Sequence, residues 1–235
     1  MKNLDAIFFD LDGTLTDPKI GITRSIQYAL EQMGAVSPSL DELALLIGPP
    51  LRHYFSNILG ANKAEAAIDH YRQRYDIEGY CLTENLVYPG IESVLTNLQA
   101  QGKRLLVVSA KPQVIAHRIV QHFGLDKYFS HVYGAELDET RSNKDELIAH
   151  VLEQEKLSPD IAVMVGDRKY DIVGAAANGV ASVGVLWGYG SADELKAANP
   201  TFLASRPDEL LDIFSELQNR PNGFLHRAAD FSVKS

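Results

Sequence analysis

The stretch AIFFDLDGTLTD, residues 6–17, joins an apolar run to three aspartates and a glycine. Its first part, AIFFD at residues 6–10, does not alternate between apolar and polar residues, which is typical of a strand covered on both faces in a parallel sheet. In open α/β sheets, ligands bind at the carboxyl ends of the strands. We therefore predict that Asp10 and Asp12 lie at the ligand-binding edge of such a sheet.

Further apolar runs of strand length follow at residues 104–110, 131–136, 161–167 and 181–187. Helical patterns separate them; Ile115, Ile119 and Phe123, for example, recur at helical spacing. A helix is also expected to begin at Ser142, because Asp145 three residues later makes a weak form of the capping box. Strands that alternate with helices predict an α/β fold: a doubly wound parallel sheet with a Rossmann-like core.

One long segment, residues 16–87, interrupts this alternation. No run in it predicts a strand, and its apolar residues recur at helical spacing. A βα loop usually has roughly 2 to 6 residues, far fewer than this segment contains. We predict a small inserted α-helical cap domain at 16–87, a catalytic core formed by 1–15 and 88–218, and a C-terminal tail at 219–235.

Composition narrows the possible partners. The 235 residues carry a net charge of −9, which argues against general affinity for nucleic acid or anionic lipid. A single cysteine excludes an intramolecular disulfide. No run of about 18 apolar residues could span a bilayer, and acidic residues follow the start too early for a secretory signal. We expect a cytoplasmic monomer or homodimer that acts on a small molecule, with no nucleic-acid polymer or membrane as partner.

Polar side chains follow the predicted strands at the edge where ligands bind. They are Asp10 and Asp12 after the first run, Ser109 and Lys111 after the second, Lys144 at the start of the helix after the third, and Asp167 and Asp171 after the fourth. Carboxylates so close together repel each other, and a hard cation such as Mg²⁺ relieves that repulsion. The metal and the lysine together supply the positive charge that binding of a phosphoryl dianion requires. The pattern therefore predicts a Mg²⁺ and phosphate site.

At these residues the chain resembles the haloacid dehalogenase-like superfamily of phosphohydrolases. Four motifs occur in the expected order: DLDGTLTD (10–17), VVSAKP (107–112), Lys144 in RSNKDEL, and VGDRKYDIVGAAANG (165–179). The position of the helical insert is similar to that in members with a small helical cap. SAKP and GVLWGYGSADEL (184–195) most resemble the phosphoglycolate phosphatase and 5′-nucleotidase-like branch.

The resemblance implies Mg²⁺-dependent hydrolysis of a small phosphomonoester through an aspartyl-phosphate. Asp10 would be the nucleophile, and Asp12 the general acid and then the base. Lys144 would be the catalytic lysine that holds the phosphoryl oxygens. Further phosphate or substrate contacts would come from Gly13, Thr14, Ser109, Ala110 and Lys111. The metal ligands would be Asp10, the backbone carbonyl of Asp12 and Asp167, with Asp171 orienting metal waters or Lys144.

Substrate choice is expected in the insert. IGPPLRHYF, residues 47–55, has the glycine and prolines of a rigid turn, followed at once by Arg52. The helical caps of the family resemble this in carrying a specificity loop. Arg52 would then bind a substrate carboxylate or second phosphate; the alternative is a solvated arginine on the first turn of a helix.

Each assignment has a structural alternative. Asp12 or Thr14 could cap the next helix, Ser109 the helix after KP, and Asp171 the helix that it begins. Lys144 could be a solvated residue on a first helical turn. Trp187 is expected to pack its loop rather than to stack on a substrate.

Other functions also compete. A phosphomutase acting on a sugar phosphate would retain Asp12, so the motifs do not exclude it. A 2-haloacid dehalogenase would need neither Asp12 nor the acids of GDRKYD. A phospho-aspartate receiver module, a non-enzymatic class, needs its acceptor aspartate after the third strand, where only Glu136 is found.

Overall fold

The computed structural model describes residues 4–138 and 140–219. The chain divides into two units, which we call the sheet unit (Met1–Leu15 with Tyr88–Ser235) and the helical unit (Thr16–Val87). Of the tail predicted at 219–235, all but Asn219 lies outside the described residues. Across the described part of the chain, every helix is too short or too polar to span a bilayer.

The sheet unit contains a six-stranded sheet in the order β5-β4-β1-β6-β7-β8. Its strands are β1 (Ala6–Phe9), β4 (Arg104–Pro112), β5 (His131–Ala135), β6 (Ala162–Gly166), β7 (Ala181–Val185) and β8 (Phe202–Ala204). All neighbouring pairs run parallel. The predicted doubly wound parallel sheet is therefore confirmed. The strand β8 was not predicted, because three residues are too few to show a strand pattern.

Helices flank this sheet at α6 (Ile91–Ala100), α7 (Gln113–His122), α8 (Lys144–Glu155), α9 (Lys169–Ala177), α10 (Ala192–Ala198) and α11 (Glu209–Asn219), with a 3₁₀ turn at Pro159–Ile161. The predicted start of α8 at Ser142 is wrong. Arg141 adopts a left-handed backbone conformation (φ 59°), and the helix begins at Lys144 after Asn143, whose side chain makes no capping hydrogen bond. The chain thus turns before it enters the helix, and Lys144 becomes its first residue.

The hydrophobic core fixes where the polar residues emerge. All four residues of β1 are fully buried, and Phe8 packs in one cluster with Leu106, Leu147 and Met164. Apolar residues on both faces explain why β1 reads as a continuous hydrophobic run. The first polar side chain after it, Asp10, stands directly at the carboxyl edge of the central strand.

The helical unit consists mainly of helices: α1 (Lys19–Gln32), α2 (Leu40–Ala44), α3 (Leu51–Leu59), α4 (Ala61–Arg72), a π-helical turn (Gln73–Ile77) and α5 (Tyr80–Thr83). Along α1 the buried Ile22, Ile26, Ala29 and Leu30 form one apolar stripe. The expectation that residues 16–87 contain no strand is wrong, because β2 (Thr16–Asp17) pairs antiparallel with β3 (Leu86–Val87). Two residues per strand leave no periodicity to detect in the sequence.

Candidate active site

The carboxyl ends of β1 and β6 bring three carboxylates together. These strands are parallel neighbours, with Phe9 opposite Val165, so Asp10 and Asp167 emerge at the same edge. The Asp10 N–H donates to the Val165 carbonyl at 2.9 Å and extends the strand pairing. Asp171 follows on the first turn of α9. One carboxylate oxygen from each of the three aspartates lies within 4.8 Å of the others.

Lys144 is buried against this cluster. Its Nζ lies 2.9 Å from Asp10 Oδ1 and 2.6 Å from Asp171 Oδ1, and donates to the Val108 carbonyl at 2.7 Å. The close approach of α8 requires a glycine on α9, because a Cβ at Gly174 would lie 2.8 Å from Lys144 Cβ. With a side chain only 5% exposed, Lys144 is not a solvated surface lysine.

A second lysine pairs with the other aspartate of the opening motif. Lys111 Nζ lies 2.8 Å from Asp12 Oδ2, and both side chains are largely buried. Within the described residues, Asp12 Oδ1 is buried and has no hydrogen-bond partner. Ser109 is buried near the end of β4, and its Oγ accepts from the Lys111 N–H at 3.4 Å. Ala110 lies between these two residues on β4.

The carboxylate of Asp167 is enclosed by the backbone around it. Its Oδ2 accepts from the Tyr189 N–H at 2.7 Å, and its Oδ1 lies 3.5 Å from the Thr14 hydroxyl. Gly13 adopts φ 81°, and a Cβ there would lie 2.2 Å from Asp167 Oδ2. Gly13 is therefore required both by its left-handed conformation and by the space that Asp167 occupies.

The helix-cap alternatives do not hold for most of these residues. Pro18 precedes α1 and Pro112 precedes α7, so Asp12, Thr14 and Ser109 cap neither helix. Asp171 is the third residue of α9, and its Oδ2 accepts from the Arg168 N–H at 3.1 Å. It therefore stabilises the start of α9 with one oxygen while the other contacts Lys144.

The electrostatics of the site show a shortage of positive charge. Burial, together with Asp171 and Asp10, raises the pKa of Asp167 well above its ordinary value. Burial also raises the pKa of Asp171 to about 6, outweighing the opposing effect of Lys144. For Lys144, burial lowers the pKa, but Asp10 and Asp171 together raise it above the ordinary value. Neighbouring carboxylates of this kind are the oxygen ligands that a hard divalent cation prefers, so the site fits such a metal.

Arg52 lies in the helical unit as the second residue of α3. Its guanidinium forms an ion pair with Glu65 of α4, and its side chain is 37% exposed. An anion that binds Arg52 would therefore have to compete with Glu65.

Comparison with known proteins identifies the family of this chain. The family model described as "Haloacid dehalogenase-like hydrolase" matches residues 7–185, which include the acid cluster, Lys111 and Lys144. The chain belongs to the haloacid dehalogenase-like hydrolases. The resemblance inferred from the motifs is confirmed, and the chain is a phosphatase that acts on small phosphate substrates.

Individual relatives of this haloacid dehalogenase-like hydrolase carry two kinds of name. This chain is 48% identical to a "5'-nucleotidase" of Pseudomonas aeruginosa over 83% of this chain and 88% of that protein. It is 39% identical to the "Tyrosine-protein kinase PtkA" of Mycobacterium tuberculosis over 87% of this chain and 70% of that protein. A crystal structure of "a predicted phosphatase from Clostridium acetobutylicum" matches with a TM-score of 0.85 and 38% identity, covering 91% of this chain and 99% of that one.

One part of the hydrolase's site was not predicted. The loop after β7 supplies the Tyr189 N–H to Asp167, and the Trp187 indole N–H donates to the Thr14 carbonyl at 3.1 Å. Trp187 therefore joins its loop to the turn after β1, a structural contact of the kind expected for it. The signal in the sequence was the cluster of glycines in GVLWGYG, which does not follow a phosphate-loop template.

Proposed function

We propose that this chain is a Mg²⁺-dependent phosphatase that forms an aspartyl-phosphate on Asp10. The observation that carries the proposal is the position of Lys144 Nζ, 2.9 Å from Asp10 and 2.6 Å from Asp171, at an edge that also holds Asp167. One buried ammonium cannot balance these buried carboxylates, so the cluster favours a further cation of double charge.

The metal would be held by Asp10, Asp167 and the backbone carbonyl of Asp12. Asp171 would complete the site by fixing Lys144 through the 2.6 Å contact. When bound, Mg²⁺ supplies positive charge that offsets the carboxylates and the phosphoryl oxygens. The oxygen-only character of this ligand set is what favours Mg²⁺ over softer metals.

The nucleophile is held in place before substrate binds. Asp10 Oδ1 accepts from the Leu11 N–H at 2.8 Å and from Lys144 Nζ, which holds this oxygen in place. In the proposed first step, a carboxylate oxygen of Asp10 attacks phosphorus and the ester P–O bond breaks. The leaving oxygen takes a proton from Asp12, giving the free alcohol and an aspartyl-phosphate.

Asp12 has the surroundings that this role requires. Burial raises its pKa in spite of Lys111, which makes the protonated form needed in the first step easier to reach. Lys111 holds Oδ2, while Oδ1 is buried without a partner among the described residues and remains to transfer the proton. In the second step Asp12 takes a proton from water, the water oxygen bonds to phosphorus, and the bond to Asp10 breaks to release phosphate.

The phosphoryl oxygens would be bound by residues at the same edge, mainly Lys144 and the buried Ser109. Additional contacts are proposed for Gly13, Thr14, Ala110 and Lys111. For a loose transition state, positioning and neutralisation of charge are the main catalytic tasks, and these groups supply both.

Substrate selection is proposed to reside in residues 16–87, acting as the cap domain. Arg52 would bind a carboxylate or second phosphate by displacing Glu65 from their ion pair. The relative at 48% identity is named a 5′-nucleotidase, which supports a nucleoside monophosphate as the first substrate to test. Phosphoglycolate is the second, from the resemblance of SAKP and GVLWGYGSADEL.

The test is phosphate release from a panel of nucleoside monophosphates, phosphoglycolate, sugar phosphates and pyrophosphate, each with EDTA and with Mg²⁺ restored. We expect release only with Mg²⁺ and the highest kcat/KM for a nucleoside monophosphate. Undiminished release in EDTA contradicts the metal requirement. A phosphorylated sugar that isomerises without phosphate release would identify the phosphomutase alternative instead.

A further inference from the structure

The loop after β7, residues 186–190, contacts the acid cluster in a way that the proposed mechanism does not use. We call it the Trp187 loop. Its Tyr189 N–H donates to Asp167 Oδ2 at 2.7 Å, and its Trp187 indole N–H donates to the Thr14 carbonyl at 3.1 Å. The Thr14 hydroxyl in turn lies 3.5 Å from Asp167 Oδ1. The loop therefore reaches Asp167 both directly and through the turn that follows β1.

Two glycines bring the loop backbone against Asp167. A Cβ at Gly190 would lie 1.9 Å from the Asp167 carbonyl oxygen. A Cβ at Gly188 would lie 2.3 Å from Asp167 Cβ and 2.4 Å from the Gly13 carbonyl oxygen. Real Cβ atoms do not approach other heavy atoms so closely, and at Gly190 the nearest atom is backbone, which cannot move away cheaply. Only glycine therefore permits this packing.

We propose that the Trp187 loop positions Asp167 for the divalent metal, with Trp187 as the positioning residue that joins the loop to Thr14. The inference rests on the metal site of the proposed function. A carboxylate whose oxygens face the Tyr189 N–H and the Thr14 hydroxyl has a fixed rotamer before any ion arrives. Partners that orient a ligand in this way raise metal affinity because less order must be imposed on binding.

Mn²⁺ binding to the full chain tests the inference, measured by the EPR signal of the free ion. Trp187→Phe keeps an aromatic ring and removes the N–H donor, whereas Gly190→Ala forces the loop away from Asp167. The matched control is Gly184→Ala in β7, whose Cβ would meet the Leu203 side chain at 2.9 Å and not the acid cluster. Loss of a partner that orients a ligand typically weakens metal binding about 10- to 100-fold.

We expect about tenfold or greater weakening for Gly190→Ala, about three- to tenfold for Trp187→Phe, and less than about twofold for Gly184→Ala. The metal concentration for half-maximal p-nitrophenyl phosphate hydrolysis should rise in parallel, while kcat at saturating metal changes far less. Wild type that binds no Mn²⁺ would refute the proposed metal site itself. If wild type binds Mn²⁺ and Trp187→Phe binds it as tightly as Gly184→Ala does, the positioning role of Trp187 is overturned. Trp187→Phe alone decides the matter if Gly190→Ala does not fold.

Discussion

Two groups of buried or partly buried charged side chains in this chain differ in how far positive charge offsets negative charge. In the helical unit, Glu84 accepts from Arg24 at 2.8 Å and from Arg74 at 3.0 Å, and Arg74 stacks 3.9 Å from the centre of the Tyr80 ring. Burial raises the pKa of Glu84, but the two arginines outweigh it and the net pKa is lowered. In the sheet unit, by contrast, the pKa of Asp167 is raised by burial and by two neighbouring carboxylates.

The difference separates a structural network from a binding site. Glu84 has more positive than negative neighbours, so its charge is satisfied by the protein alone. Among the described residues, Lys111 and Lys144 form the ion pairs of Asp10, Asp12 and Asp171. All four carboxylates of the site can therefore be ionised together only when a ligand supplies further positive charge. A buried charge cluster that its own residues do not neutralise is therefore the stronger indicator of function.

The largest expected effect is on the nucleophile. Asp10→Asn should lower kcat for every phosphate ester by at least about 10³-fold, because an amide cannot form the aspartyl-phosphate. Steady-state phosphate release with saturating Mg²⁺ measures this. Glu84→Gln is the comparison variant, and its kcat should stay close to wild type. Undiminished p-nitrophenyl phosphate hydrolysis by Asp10→Asn would overturn the mechanism.

The next effect depends on the leaving group. Asp12→Asn should lose about 10²- to 10⁴-fold in kcat on a nucleoside monophosphate, whose alkoxide must be protonated as it departs. The loss should be smaller with p-nitrophenyl phosphate, because p-nitrophenolate departs without much protonation. Parallel assays of the two substrates provide the comparison. Equal losses on both would count against Asp12 as the general acid.

Asp167→Asn should stabilise the metal-free protein at neutral pH. Asp167 keeps its proton to a higher pH in the folded than in the unfolded chain, so between pH 5 and 7 the folded state binds more protons and its stability falls as pH rises. Asparagine does not titrate, so Asp167→Asn lacks this dependence of stability on pH. Its advantage in free energy of unfolding should grow from pH 5 to 7 by at most about 3 kcal/mol, the limit for one proton over two pH units.

Urea unfolding in EDTA at pH 5 and pH 7 measures the difference in free energy of unfolding between Asp167→Asn and wild type. Glu84→Gln is the control, because the pKa of Glu84 is shifted in the opposite direction. The lowered pKa of Glu84 means that its stabilising contribution is present above the unfolded pKa and is lost only as pH falls through the folded one. Glu84→Gln should therefore destabilise by about 1.5 to 3 kcal/mol with little change between pH 5 and 7. If the difference in free energy of unfolding between Asp167→Asn and wild type does not vary with pH, the contrast between the two clusters is contradicted.

The smallest effect concerns Arg52. Arg52→Ala should raise KM about tenfold for a substrate with a second anionic group, equivalent to about 1.4 kcal/mol of lost binding. The KM for p-nitrophenyl phosphate, which lacks such a group, should change far less. Glu65→Ala, which frees Arg52 from its ion pair, should leave that discrimination intact. Parallel changes on both substrates, or none on either, would move the search for specificity elsewhere in residues 16–87.

Much of the fold could be predicted because buried parallel strands are continuous apolar runs. The runs at 6–10, 104–110 and 161–167 became β1, β4 and β6 with only small changes at their ends. The strands β2, β3 and β8 were missed because two or three residues carry no period.

The acid cluster could be predicted since its members follow strands whose carboxyl ends converge. The role of the Trp187 loop could not be predicted. Its glycines are visible in GVLWGYG, but the group that contacts Asp167 is a backbone N–H. Any residue type except proline supplies a backbone N–H, so Tyr189 leaves no trace of this role in the sequence.

Trapping the phosphorylated enzyme shows directly whether Asp10 is the nucleophile. Wild type and Asp10→Asn would be mixed with substrate and Mg²⁺, quenched in acid within one turnover, digested, and analysed by mass spectrometry. We predict that the wild-type peptide containing residues 6–17 gains the mass of one phosphoryl group on Asp10, and that EDTA or Asp10→Asn abolishes the gain. Phosphate release at the normal rate with no label on Asp10, or with the label on another residue, would contradict it.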